Sequence, residues 1–338
     1  YGLFHNNNSF EYFRFSKLQS LERLKLLFNF HHNSEVNQKL LYSVASEISF
    51  VKKLREFILI SNNYLTDVEL TQILQMLGNS SLENLNILTG NDYDINSNDF
   101  FKGEPNVLSS LTLGWIFTDE EKTQTVFEYI STCQMVAQLE IRVIFSKMNS
   151  NTSRNHLNSL TNLSNLKSFK FSSDNESLFN TEAIESIKKI SESSQNLETL
   201  SLTLFNTIKN PKEIKSCPLK YEFIQGLLNH LCHQRESLRE LFLNFTIQID
   251  NESNLDSLLT ILAKKKSLKY LSLFLSCFQL KNSPQTQKPN EESFKLVQQF
   301  FGKAHCLPRI ENLHLGLDYK CLKNSGFFLK EYVDFCHN

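Results

Sequence analysis

Glycine is scarce in this sequence, with nine residues in 338. Loops that cradle phosphates need closely spaced glycines, because only glycine lets the backbone turn tightly against a ligand. The patterns G-x-x-x-x-G-K-[ST], G-x-G-x-x-G, G-x-S-x-G and H-E-x-x-H are all absent. We therefore expect a protein that is not an enzyme, with no cofactor and no small-molecule substrate.

Long apolar runs and an excess of one charge are also lacking. No stretch approaches the roughly 18 consecutive apolar residues that indicate a membrane span, which predicts that the protein has no membrane partner. Acidic and basic residues nearly balance, giving a net charge of -1, and no basic block could neutralise many phosphates. This balance predicts that nucleic acid is not a partner.

Cysteine patterns give no sign of a disulfide framework or a metal site. The seven cysteines include no C-x-x-C pair, and an odd number favours free thiols and a cytoplasmic location. The segment "LNHLCHQ" places His230 and His233 beside Cys232, but a structural zinc site needs four ligands. We interpret these residues as two helix-surface histidines beside a buried cysteine, and we expect no bound metal.

What the sequence does contain is a recurring L-x-x-L-x-L phrase. The stretch "NLETLSLTLFN" has leucine at 197, 200 and 202, and related stretches return at spacings that mostly lie between 26 and 33 residues. Two longer spacings, of 41 and 42 residues, contain segments 206–218 and 281–290, whose Pro, Asn and Ser predict loops. The second apolar position of each phrase, its anchor, falls at Leu24, Phe57, Leu85, Leu111, Leu139, Phe169, Leu200, Leu241, Leu271 and Leu313.

Segments with a helical period separate these phrases. The stretches "TDVELTQILQML" and "TDEEKTQTVFEYI" place apolar residues near a 3.6-residue period. Each begins with the Thr-x-x-Glu pattern of a capping box, Thr66 with Glu69 and Thr118 with Glu121. Four further segments continue the alternation, at 183–192, 222–231, 255–265 and 293–301. The predicted unit is therefore strand, turn, helix and turn, repeated about ten times.

This unit resembles the leucine-rich repeat family, in its longer ribonuclease-inhibitor-like class, over residues 15–336. The resemblance implies an α/β repeat solenoid, a horseshoe of about ten strand-helix units with parallel strands on the concave face. Stacked units share a core that no single unit could form. We expect one domain over 1–338, with an N-terminal cap at 1–17, repeats at 18–320 and a C-terminal cap at 321–338. The family's Asn or Cys five residues after the anchor is matched by Asn29 and Asn62 alone, so the curve need not be regular.

Strand residues that flank the anchors are predicted to face away from the helices. Tyrosine and phenylalanine are enriched in the cores of protein interfaces, so we predict a binding patch around Phe242, Tyr270 and Phe274. The alternatives are that other segments cover these side chains, that they are scattered apolar surface, or that the aromatic-rich caps bind instead. The full set of predicted partner-binding residues is Phe205, Phe242, Tyr270, Phe274, His314, Ile58, Ile60 and Leu88.

The resemblance suggests two kinds of function. The first is a non-catalytic protein-protein interaction scaffold, or a structural subunit of a larger assembly such as a cytoskeletal or ciliary complex. The second is a regulatory module, either a substrate receptor of a ubiquitin ligase or a regulator of a small GTPase. A receptor would need an adaptor-binding helical module ahead of the repeats, for which residues 1–17 are too short, so that such a module would lie upstream of Tyr1. A Ran-type regulator would usually carry an acidic tail, and "VDFCHN" is not acidic.

Overall fold

The chain forms an open, parallel α/β repeat solenoid. The computed structural model describes residues 3–4, 18, 20–28, 34–61, 65–77, 82–89, 108–145, 156–174, 179–204, 219–234, 236–249, 251–276 and 310–317. Within these residues a single twelve-stranded sheet runs from one end of the chain to the other, with neighbouring strands parallel. Its strands are β1 (Leu3–Phe4), β2 (Arg23–Phe28), β3 (Glu56–Ser61), β4 (Asn84–Thr89), β5 (Ser110–Phe117), β6 (Gln138–Phe145), β7 (Ser168–Ser173), β8 (Thr199–Leu204), β9 (Leu219–Lys220), β10 (Glu240–Gln248), β11 (Tyr270–Ser276) and β12 (Asn312–Leu317).

Helices return the chain from one strand to the start of the next. Three of them confirm predicted segments in the second half of the chain, and two confirm the segments with Thr-x-x-Glu patterns. Among the described helices, α1 and a 3₁₀ helix at His156–Asn162 were not predicted. The α-helices are α1 (Ser34–Ser49), α2 (Asp67–Leu77), α3 (Glu120–Thr132), α4 (Thr181–Ser193), α5 (Tyr221–Gln234) and α6 (Glu252–Ala263).

All ten predicted anchors lie in one row across the sheet. Each anchor pairs with the next in strict register, from Leu24 opposite Phe57 at one end to Leu271 opposite Leu313 at the other. The residue before each strand that carries an anchor adds hydrogen bonds between neighbouring strands. The carbonyl of Glu22 accepts hydrogen bonds from the N–H groups of Arg55 and Glu56, at 2.8 and 3.1 Å, and the same forked arrangement recurs at each later unit. The repeat deduced from the sequence is confirmed at residue level.

The core is one continuous layer between the sheet and the helices. Leu200 and Leu202 of β8 are fully buried, as are Ile187 and Ile190 of α4, and all belong to a single apolar cluster that spans the repeats. Strand side chains alternate between the two faces of a sheet, which explains the spacing of the last two leucines in each phrase. Each fully buried leucine contributes about 1.5–3 kcal/mol, so the stack depends on this shared layer.

Serine side chains link successive units at the turns that lead from helix to strand. The Ser237 hydroxyl donates to the Leu197 carbonyl at 2.8 Å, and the Ser267 hydroxyl donates to the Leu238 carbonyl at 2.8 Å. These carbonyls lie one unit away from the serine. Such bonds satisfy backbone groups that the sheet leaves unpaired, so the abundant serine of this chain has a structural role between repeats.

One predicted helix cap is confirmed and the other is wrong. At α2 the Thr66 N–H donates to Glu69 Oε2 at 2.7 Å, and the Glu69 N–H donates to Thr66 Oγ1 at 3.3 Å, which is a capping box. At α3 the N-cap is Asp119, whose carboxylate accepts from the Lys122 N–H, and not Thr118. The Thr118 hydroxyl donates instead to Asp67, because that carboxylate reaches across from another unit.

Near Asp67 the described helices and strands do not match one to one. In the sheet β4 separates β3 from β5, yet α2 packs directly against α3. The Ile116 N–H at the end of β5 donates to the Leu65 carbonyl at 2.7 Å. This bond joins the second unit, which contains β3 and α2, to the fourth unit, which contains β5 and α3. Two strand steps cover about 9.6 Å and one helix step about 8–10 Å, so the two layers have nearly equal length here.

Several predicted segments lie outside the described residues. They are the helix at 293–301, the loops at 206–218 and 281–290, the C-terminal cap at 321–338, and all of the N-terminal cap except β1. β1 itself extends the sheet beyond the first repeat, with Leu3 and Phe4 paired to Leu27 and Phe28.

Candidate interaction surface

The face of the sheet opposite the helices carries its own set of side chains, and we call it the helix-free face. Its residues alternate along each strand with the core residues. Ile58 and Ile144 illustrate the separation, because both are buried but neither belongs to the core cluster. The row next to the anchors on the C-terminal side consists of Lys25, Ile58, Asn86, Thr112, Glu140, Lys170, Ser201, Phe242, Ser272 and His314.

Four of the predicted residues meet on β10, β11 and β12, and we call them the aromatic patch: Phe242, Tyr270, Phe274 and His314. The three rings of Phe242, Tyr270 and Phe274 are half-buried, whereas His314 is exposed. Phe274 meets His314 edge to face, with ring centroids 5.5 Å apart and planes at 90°. This geometry is favourable for aromatic pairs, so the patch has a defined shape.

A row of hydrogen bonds crosses four strands beneath the patch. Asn244 Nδ2 donates to Thr203 Oγ1 at 3.1 Å, and the Ser272 hydroxyl donates to Asn244 Oδ1 at 3.0 Å. Ser272 Oγ also lies 3.3 Å from Nδ1 of His314. This contact and the edge-to-face contact with Phe274 fix the position of the imidazole on the patch.

A bulge in β10 shapes the same region. Leu243 pairs with Leu273, but the next pair is Thr246 with Phe274, so Asn244 and Phe245 are inserted between them. Phe245 turns into the core, where its ring lies 5.5 Å from that of Phe179. Because two residues are inserted, the alternation of faces is kept, and Asn244 lies on the helix-free face while Phe245 lies in the core. Sequence reasoning missed both Asn244 and Ser272, whose only signal is a polar residue between two core positions.

The other predicted residues lie elsewhere. Ile60 is half-buried in register between Leu27 and Leu88, and Leu88 is half-buried too, whereas Ile58 is only 7% exposed. Five strand steps, about 24 Å, separate β4 from β10, so this aliphatic group is distinct from the aromatic patch. Phe205 lies outside the described residues.

Two carboxylates of the helix-free face, Glu56 and Glu140, each lie beside a cation on a neighbouring strand, whereas Glu240 does not. Arg23 Nε lies 3.5 Å from Glu56 Oε2, and Lys170 Nζ lies 4.0 Å from Glu140 Oε2. Glu240 has no Lys or Arg of the described residues within 4.0 Å, and its hydrogen-bond donor there is the Thr199 hydroxyl at 2.9 Å. In register, Glu240 lies between Thr199 and Tyr270.

The histidine and cysteine cluster on α5 is divided between core and surface. His230 and Cys232 are buried and His233 is exposed, so the prediction of two surface histidines is wrong for His230. His230 is buried because it faces α4, where its Nδ1 lies 3.7 Å from Glu192 Oε1. Burial raises the pKa of the Cys232 thiol to about 11, and nearby Lys265 offsets part of that rise.

Within the described part of the chain, no group of three or more His, Cys, Asp or Glu side chains is arranged to hold a metal ion. Among the described helices, none combines the length and apolar character needed to cross a bilayer.

No protein-family model matches the sequence, and no curated protein matches it. One solved structure with a similar arrangement is a crystal structure of a TLR13–ssRNA13 complex, at 14% identity and a TM-score of 0.30, covering 89% of this chain and 43% of that chain. This chain thus spans less than half the length of that one. The parallel sheet and the register of its strands define the fold.

Proposed function

We propose that this protein is a non-catalytic protein-interaction scaffold, a leucine-rich repeat solenoid of the ribonuclease-inhibitor-like class that binds a partner through its helix-free face. The observation that carries the proposal is the aromatic patch. Three half-buried aromatic side chains and an exposed histidine lie together on a rigid sheet, and hydrogen bonds from Thr203 to His314 hold their surroundings in place. Rigid aromatic side chains are the usual energetic centre of a protein interface.

The aromatic patch and the pairing of two cations on the helix-free face favour a protein partner over nucleic acid. Arg23 and Lys170 are each matched by a carboxylate on the next strand. A surface that binds phosphates needs cations that are free to replace counterions. Paired cations are poorly suited to that purpose, whereas an uncharged aromatic patch suits an apolar side chain of another protein.

The described chemistry supports a binding role and not catalysis. Ser272 and His314 are in contact, but Ser272 is only 3% exposed and its proton is directed to Asn244. A nucleophilic serine needs an exposed hydroxyl whose proton is directed to its base, and Ser272 meets neither condition. Burial also raises the pKa values of the Cys133 and Cys232 thiols, which keeps both cysteines protonated and unreactive. These two free thiols support a cytoplasmic location.

The test compares what binds to three forms of the full chain in the cells that express it. One form is unaltered, the second carries Phe242→Ala with Phe274→Ala, and the third carries Phe223→Ala as a control. Phe223 is 46% exposed on α5, on the opposite side of the sheet. We expect recovery of the protein partner to fall about tenfold or more with the double variant, because truncating a hot-spot residue of an interface costs about 2 kcal/mol or more. The control should retain the partner.

Equal recovery of the same partner by the double variant would refute the proposal. Circular dichroism and the fluorescence of Trp115 should match in all three forms, so that loss of folding is not mistaken for loss of binding. The identity of the partner then separates a cytoskeletal or ciliary assembly from a ubiquitin-ligase or small-GTPase pathway. Recovery of RNA in place of protein would also count against the proposal.

A further inference from the structure

Glu240 differs from the other carboxylates on the helix-free face. Glu56 and Glu140 each have a cation on a neighbouring strand, at 3.5 and 4.0 Å. Both in-register neighbours of Glu240 are uncharged, Thr199 on β8 and Tyr270 on β11. The repeat therefore supplies a cation wherever a carboxylate occupies this face in the described strands, except beside the aromatic patch.

The surroundings of Glu240 suit a planar cation. Tyr270 lies in register on the next strand, with its Cα about 4.8 Å from that of Glu240. Phe242 lies two residues further along the same strand, on the same face, with its Cα about 7 Å from that of Glu240. A cation bonded to the carboxylate would lie within the roughly 6 Å range of a cation–π contact with an aromatic ring. Glu240 is itself only partly exposed, so the carboxylate is partly desolvated and a cationic partner would be bound more strongly than on an open surface.

We propose that the partner of this protein inserts an arginine side chain at Glu240, where its guanidinium pairs with the carboxylate and stacks on Tyr270 or Phe242, while a neighbouring apolar side chain packs on Phe242 and Phe274. The inference rests on the proposed function, because it specifies what the aromatic patch binds. Arginine fits better than lysine, because the guanidinium is planar, binds carboxylates with two parallel hydrogen bonds and stacks on aromatic rings. A lysine ammonium is more strongly hydrated and lacks the flat face.

The experiment measures binding of the purified full chain to immobilised short peptides. Their central position is arginine, lysine, or citrulline, the uncharged counterpart of arginine. Their flanking positions are degenerate, rich in Leu and Phe and free of charge. We expect peptides with central arginine to be retained about tenfold more than those with citrulline, with lysine between the two.

Two variants locate the effect. Glu240→Gln keeps the shape of the side chain and removes its charge, so the preference for arginine over citrulline should fall to within about twofold. Glu140→Gln is the matched control, since it removes a carboxylate from the same face that already pairs with Lys170, and it should leave the preference unchanged. Both variants should show the circular dichroism and Trp115 fluorescence of the unaltered protein.

Equal binding of arginine and citrulline peptides would overturn the inference, as would an arginine preference that survives Glu240→Gln. In that case Glu240 is a surface carboxylate stabilised by Thr199 and nothing more. The two proposals fail in different ways. If the Phe242 and Phe274 variant loses the cellular partner but Glu240→Gln keeps it at full strength, the scaffold proposal stands and the arginine inference is wrong. If the double variant keeps its partner, the scaffold proposal itself fails.

Discussion

Replacing Asp67 should destabilise the chain strongly, because its carboxylate joins the second repeat to the fourth. Asp67 is fully buried at the start of α2. It accepts five hydrogen bonds, from the N–H groups of Val68, Thr118 and Asp119 and from the hydroxyls of Thr118 and Thr123. The bonds from Thr118 and Asp119 span 51 and 52 residues of sequence, so the carboxylate is the point at which distant segments meet.

The size of the loss in unfolding free energy depends on which hydrogen-bond donors would be left without a partner. Hydrogen bonds to a charged group contribute about 1.5–3 kcal/mol each, but the five cannot be summed, because Thr118 and Asp119 are exposed and their N–H groups could turn to water. Thr123 is only 1% exposed, so its hydroxyl could not turn to water. We therefore expect Asp67→Ala to lower the free energy of unfolding by about 3–4 kcal/mol. This sum contains one buried donor left without a partner, the equivalent of one further hydrogen bond to a charged group, and a small cavity.

Asp67→Asn is the sharper variant, because its shape is nearly unchanged. One acceptor oxygen becomes an N–H₂ group that faces donors, so we expect a cost of about 2–3 kcal/mol. Asp119→Ala serves as the control, since Asp119 caps α3 with a single bond to the Lys122 N–H and its loss should cost about 1 kcal/mol.

Urea unfolding measures these costs with two signals. The single tryptophan, Trp115, is fully buried beside this network, with its Nε1 donating to Thr123 Oγ1 at 3.4 Å and its ring 5.7 Å from that of Phe127. Its fluorescence reports on the fourth repeat, whereas circular dichroism reports on the whole solenoid. In the Asp67 variants the fluorescence transition should move to lower urea by more than the dichroism transition. Coincident shifts no larger than that of Asp119→Ala would contradict this account of Asp67.

Three smaller effects are expected elsewhere. Gly226→Ala should stabilise the protein by about 0.5–1 kcal/mol in urea unfolding, because a methyl group at this exposed position of α5 would meet nothing within 4 Å; a loss of stability would show that the glycine has an unseen packing role. Glu69→Ala should cost about 1 kcal/mol by the same assay, since it removes one half of the α2 capping box, and no change would contradict the cap. At about pH 8 the Cys232 thiolate should be about 100-fold less populated than for an ordinary thiol of pKa 9.0, because burial raises its pKa to about 11. A thiol reagent should therefore modify Cys232 slowly in the native protein and rapidly in urea, and stability should fall as pH rises from about 9 to about 11, since the folded state favours the protonated thiol.

The arrangement of the strands could be deduced from the sequence because it is encoded locally. Each L-x-x-L-x-L phrase carries its own core positions, and the next copy repeats them, so a register through ten strands follows from the positions of Leu24 to Leu313. Helix α1 was equally accessible, since Leu40, Leu41, Val44, Ala45 and Ile48 follow the same helical period as the predicted helices. The 3₁₀ helix was not, because a segment of seven residues is too short to establish a period.

Features that depend on distant residues could not be deduced. Nothing near Asp67 in the sequence shows that its partners lie 51 to 56 residues later. Thr118 followed by Glu121 has the form of a capping box, and it is not one because Asp67 takes the Thr118 hydroxyl. The isolation of Glu240 becomes visible only when Thr199 and Tyr270 are placed on either side of it. The predicted binding residues remain a prediction, of which the structure brings Phe242, Tyr270, Phe274 and His314 together.

The direct packing of α2 on α3 has a consequence for the shape of any molecule that spans the sheet. An arc requires an outer path longer than the inner one, and in this section a single helix step of about 8–10 Å matches two strand steps. The sheet between β3 and β5 should therefore bend less than it does where each strand step is matched by its own helix step. A partner that contacts Ile60 and Leu88 there would meet a flatter surface than one that contacts the later strands.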